Sequence, residues 1–132
     1  MNDRYLYRAK HSLNSKKWHI GNLVEELDGL YLRDNKNNIM VYIQDPSTIC
    51  QCTAVPDRDN TIMFENDVVR ASGGVRGVIR FGRYGDEKTD YGFYIEWEKS
   101  QPYWRNDIYY WKNELRVIGS YIDNSELLEV GE

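Results

Sequence analysis

A chain of 132 residues, 41% of them apolar, is long enough for one compact domain or two small lobes and too apolar to stay unfolded. Its formal net charge of −4 provides no general attraction to phosphate backbones or anionic membranes, so nucleic-acid binding would need a local basic patch. No apolar run approaches the roughly 20 residues that span a bilayer. The opening residues 1–8 lack the apolar segment and cleavage site of a secretory leader, so the expected location is the cytoplasm, with no membrane partner.

In chain order, residues 5–10 and 17–23 read as the arms of a hairpin with a polar tip over residues 11–16. A second hairpin joins residues 29–32 to 39–43 across an Asn-rich break, since Asn tolerates left-handed backbone. Pro46 cannot donate to a sheet ladder. The residues after it suit one helical turn, followed by a short strand over 49–53. The turn cluster at residues 55–60 marks the expected division into an N-terminal β lobe, 1–58, and a C-terminal part, 59–132, within one compact unit. Beyond it the alternation sharpens. Val75, Gly77, Ile79 and Phe81 share one strand side, and Tyr91, Phe93, Ile95 and Trp97 share another. Residues 108–111 and 115–121 supply two more strands. Val69, Ile79, Phe93, Ile95, Val117 and Ile118 are the expected core. The fold class is mostly β, with short helical turns only, in a small barrel or sandwich.

No chemistry-bearing pattern emerges. His11, His19, Cys50 and Cys52 lack the paired spacing of a structural zinc site, and the two cysteines, on one side of a strand, suit small core positions. Residues 73–77 are glycine-rich but lack the Lys-Ser/Thr ending of a phosphate loop, and read as a hairpin turn. Glu96 and Glu98 read as the wet face of their strand. Asp67, just past a tight turn, reads as an acceptor for that turn's amides rather than as a catalytic acid. The chain is expected to be no enzyme and to need no cofactor or metal.

The sharpest feature is charge. Residues 70–83 carry four arginines, Arg70, Arg76, Arg80 and Arg83, and no acid, whereas residues 123–132 carry four acids and no base. Tyr103, Trp104, Tyr109, Tyr110 and Trp111 add an aromatic cluster. Together these residues form the candidate surface. It suits self-association or contact with another protein. The alternative is a nucleic-acid-binding barrel, its arginines following phosphates and its aromatics stacking bases.

Four stretches in order resemble the YopX family of phage and prophage proteins. They are Tyr5-Leu6-Tyr7-Arg8-Ala9-Lys10 with Lys17-Trp18-His19-Ile20-Gly21-Asn22-Leu23; Asp45-Pro46-Ser47-Thr48-Ile49-Cys50-Gln51-Cys52-Thr53; Ile62-Met63-Phe64-Glu65-Asn66-Asp67-Val68-Val69; and Val117-Ile118-Gly119-Ser120-Tyr121-Ile122-Asp123-Asn124-Ser125-Glu126-Leu127-Leu128. The resemblance implies a bacterial host, an N-terminal β lobe, a C-terminal SH3-like barrel, homo-oligomers and a phage or host protein as partner, and it implies no reaction. Three positions depart from the family pattern. Ala54 stands where the family has Gly, so a turn using positive φ there must be built otherwise. Asn66 also replaces a Gly and keeps its turn at modest cost. Ser125 replaces a Pro and can cap a short helix over residues 126–129.

Overall fold

Alternating apolar and polar residues become strands along most of the chain. The computed structural model describes residues 6–34, 36–85, 90–98 and 106–127. Among these are ten strands and one four-residue helix, so the protein is mostly β. The chain divides into two units between Cys52 and Thr53, six residues before the division read from the sequence. The division falls inside the strand Cys50–Pro56.

In the N-terminal unit, β1 (Tyr7–Ala9), β2 (His19–Glu26), β3 (Gly29–Asp34), β4 (Ile39–Tyr42) and the first residues of β5 (Cys50–Pro56) form an antiparallel sheet in the order β4-β3-β2-β1-β5. Both expected hairpins are present. Ala9, Leu32 and Ile43 form its core, with Tyr7, Leu30, Val41 and Ile49 packed against them. The expected turn after Pro46 is a 3-10 turn, Pro46–Thr48, capped by Asp45 Oδ1, which accepts from the Ser47 amide at 3.1 Å. Cys50 and Cys52 are buried and unbridged.

In the C-terminal unit the rest of β5 neighbours β6 (Ile62–Phe64). A second antiparallel sheet runs β10-β7-β8-β9, built from β7 (Asp67–Arg70), β8 (Arg76–Tyr84), β9 (Asp90–Trp97) and β10 (Arg116–Ser120). Val69, Ile79, Ile95, Trp97, Ile108 and Leu115 lie at the centre of its core. Of the expected core residues, Val69, Ile79 and Ile95 are fully buried. Phe93 and Val117 are half-buried against that core, and Ile118 packs on Val68 and Val78 across the sheet. Gly77, opposite Trp97 in register, leaves no room for a side chain: a Cβ there would collide with the Ile95 methyl Cγ2.

Two expectations are corrected. Residues 108–111 are not a strand but the helix α1 (Ile108–Trp111), because Asp107 Oδ1 caps it by accepting from the Tyr109 amide at 2.9 Å. That local bond overrides the strand preference of Ile, Tyr and Trp. Ala54 does not build its turn otherwise but keeps the left-handed backbone of a glycine, with φ of 63°. Asn66 does the same with φ of 72°, as expected. Ser125 opens the short 3-10 turn Ser125–Leu127 as its first residue.

Candidate interaction surface

The arginine block begins in the hairpin that joins β7 to β8. Ala71 accepts from the Gly74 amide at 2.8 Å, and the Ala71 amide donates back to Val75. Gly74 takes the left-handed conformation that closes such a loop, with φ of 96°. The glycine-rich segment is therefore a turn, as its sequence indicates. Register then sets Arg116, Arg70 and Arg76 side by side across β10, β7 and β8. Directly opposed residues share a sheet face, and opposed like charges destabilise it.

The expected strip of free arginines is broken in the middle. Arg80 is half-buried: its Nε donates to Glu96 Oε1 at 3.0 Å and its Nη1 donates to Asn66 Oδ1 at 2.8 Å. Its guanidinium also lies 5.0 Å from the centre of the Tyr121 ring. Glu96 and Glu98, on the side of β9 opposite the buried Ile95 and Trp97, take its wetter face, as their strand position indicates. Both are half-buried, and Glu98 Oε2 accepts from the Arg76 amide at 2.9 Å. Strand pairing brings these acids against the arginines, which a tally of charges along the chain does not show. Asp67 is buried, and its Oδ2 accepts from the Phe64 amide at 2.8 Å, in agreement with the turn reading.

The aromatic candidates separate. Tyr109 and Tyr110 are 65% and 55% exposed on α1. Trp111, expected at the surface, is half-buried with its ring centre 5.2 Å from that of Trp97. Tyr103 and Trp104 lie outside the described residues.

What sequence reading placed on the core side, and the structure partly exposes, is the outer half of the β8–β9 hairpin. The face that buries Ile79 and Ile95 continues outward through Phe81, Phe93 and Tyr91. Phe81 is 40% and Tyr91 68% exposed. Phe81 meets Phe93 at 4.8 Å and Tyr91 at 5.4 Å between ring centres, geometry suited to the aromatic quadrupole. Arg83, opposite Tyr91, is exposed beside them. On the other face Tyr84 stacks on Tyr94 at 5.2 Å. The glycine pair Gly82 and Gly92, between them in register, adds no side chain there, and nothing lies within 4 Å of where a Cβ would stand at either. Burial holds both phenols above their ordinary pKa, reinforced at Tyr84 by Asp107 and Asp90 and at Tyr94 by Glu96. Both stay neutral and serve as packing surface.

The strand edge follows the same division. β9 ends its sheet, and its inner half is covered: Ile95 donates to the Asn106 carbonyl at 2.8 Å, Asn106 Nδ2 donates back to the Ile95 carbonyl, and Tyr94 bridges to Asp107. Among the described residues nothing pairs with the outer edge of residues 90–93. By the alternation of strand hydrogen bonds, Tyr91 and Phe93 aim their amides the same way as Ile95, away from β8. Among the described residues, then, an unpaired backbone edge runs alongside an exposed aromatic face.

Among the described residues there is no group of three potential metal-ligating side chains, and no helix is long and apolar enough to cross a membrane. Neither a family model nor a curated protein matches the chain.

Proposed function

We propose that the chain is a non-enzymatic accessory protein of the YopX phage and prophage type, acting in the bacterial cytoplasm by self-association through the outer half of β8–β9. The observation that carries this reading is the open edge of residues 90–93 beside the exposed rings of Phe81 and Tyr91. An antiparallel edge is complementary to itself, so a second copy related by a two-fold axis is the occupant that needs no other surface. Pairing β9 with β9 would satisfy both rows of backbone groups and join two aromatic faces. Covering the exposed parts of Phe81 and Tyr91 removes roughly 200 Å² of mostly apolar surface per copy, about 5 kcal/mol at the usual transfer coefficient. Two copies together contribute about 10 kcal/mol against an association cost of about 4–15 kcal/mol, so assembly should depend on concentration. The SH3-like barrel belongs to the same proposal. Its support is β10, which follows the 3-10 turn Lys112–Glu114 and returns to pair with β7, the first strand of its sheet.

The second reading, single-stranded nucleic acid on the same face, draws on Arg83 beside Phe81 and Tyr91. The engagement of Arg80 by Glu96 and Asn66 interrupts a phosphate track, which is why self-association is preferred. Sedimentation equilibrium at tens of micromolar, run beside a titration of fluorescent single-stranded DNA at low salt, separates the two. The expected result is a mass above the 15.7 kDa of one chain, lost in Tyr91→Glu, with no DNA binding. A monomer that binds DNA at micromolar concentration and loses it in Arg83→Glu would replace the first reading with the second.

A further inference from the structure

We infer that the C-terminal unit carries an oxyanion site, away from the aromatic hairpin, that takes a phosphate monoester or free phosphate dianion between Arg58, Arg70 and Arg116. These residues, with Ala71 and Ser72, line an open pocket of about 160 Å³, room for several waters and hence for a small polyatomic anion. The three arginines come from distant points in the sequence, so their convergence is a property of the fold. Arg116 and Arg70 are direct register partners on β10 and β7. Arg58 is held next to them because its amide donates to the Leu115 carbonyl at 2.9 Å, while Asp57 Oδ2 accepts from the Val117 amide at 2.9 Å on the far side of Arg116.

The charge there is only partly answered. Arg116 Nε donates to Asp59 Oδ2 at 2.7 Å. Arg58 and Arg70 have no ion pair or side-chain hydrogen bond among the described residues. Three guanidinium groups line the pocket, one of them ion-paired to Asp59, while the Asp57 carboxylate is turned to the Val117, Asp59 and Thr61 amides; an anion answers the positive charge that remains. Guanidinium forks match the tetrahedral oxygens of phosphate. Ser72 brings a hydroxyl to the rim, and the amides of Ser72 and Gly73 in the β7–β8 turn have no acceptor among the described residues. The opposed pair Arg70 and Arg116 is destabilising when the pocket is empty and is relieved when an anion lies between them.

Inorganic phosphate and chloride at matched ionic strength, followed by amide shifts in a nitrogen-15 spectrum, test the site. Saturable shifts confined to residues 58, 70–73 and 116, with phosphate only, are expected. The double variant Arg58→Gln, Arg70→Gln, both exposed positions, should fold normally and weaken phosphate binding by at least about tenfold, the equivalent of one charge-assisted hydrogen bond. Adenosine monophosphate in a parallel arm identifies the source: equal affinity assigns free phosphate, and tighter binding assigns a nucleotide ester. Identical shifts with chloride, an unchanged titration in the variant, or tighter binding of acetate or a peptide of residues 123–132 than of phosphate would each overturn the inference.

Discussion

Gly77→Ala is the sharpest probe of how the β8–β9 hairpin is seated on its core. An added Cβ would overlap Ile95 Cγ2 and come within 3.1 Å of both the Glu96 carbonyl oxygen and Trp97 Cε3. Ile95 is completely buried and Trp97 is 5% exposed against Trp111, so neither can move without displacing further core atoms. Overpacking of this kind costs about 1–3 kcal/mol, while replacing glycine stiffens the unfolded chain and returns about 0.4–1 kcal/mol. The net expectation is a loss of about 1–2 kcal/mol, or about 4–12 °C in melting temperature. Urea denaturation of Gly77→Ala in the native and Ile95→Ala backgrounds isolates the contact. With the Ile95 methyl gone, the cost of the alanine should fall by about 1 kcal/mol, the coupling energy of the pair. An unchanged midpoint for the single variant, or the same cost in both backgrounds, would refute this placement of Ile95 over Gly77.

Three further outcomes follow from the same geometry. Ala54→Gly should hold or raise stability by up to about 1 kcal/mol, since relief of left-handed strain outweighs the added freedom of glycine; a loss of that size in urea titration would contradict the backbone assignment. Asp67→Ala should cost about 1–3 kcal/mol by leaving the buried Phe64 amide without its acceptor, and an unchanged midpoint would deny that bond. Asp34 is held below the ordinary Asp pKa, first by His19 and also by the amides of Asn37 and Lys36, against the opposing pull of burial. A depressed carboxyl stabilises the fold above its ordinary pKa and stops doing so as acid protonates it, so stability should fall below about pH 4. Asp34→Asn should flatten that part of the pH profile, and an identical profile would remove Asp34 as its source.

The period-2 alternation of residues 75–81 and 91–97 was enough to locate β8, β9 and the buried Ile79 and Ile95, because one face of each strand meets the core. What alternation cannot show is where the core stops. Phe81 and Tyr91 continue the same apolar side beyond it and come out exposed. Residues 108–111 have strand-forming side chains, yet one Asp107 cap makes them helical. The arginine block was visible as composition, but its partners were not. Glu96 reaches Arg80 only through strand register, and Arg58 and Arg116 join Arg70 from about 12 and 46 positions away. Ala54 shows the opposite limit, since nothing in an alanine announces the left-handed backbone that it adopts.

The proposal that β9 pairs with a second β9 is tested most directly by hydrogen exchange at the Tyr91 and Phe93 amides. These two donors face the open edge, so in an isolated chain they should exchange at nearly the rate of a free peptide. Pairing of two β9 strands gives slow exchange at both, deepening as protein concentration rises, and fast exchange in Tyr91→Glu, while the Ile95 amide, bonded to Asn106 in either case, stays protected throughout. Free exchange of Tyr91 and Phe93 in native protein that sediments as an oligomer would place the interface elsewhere.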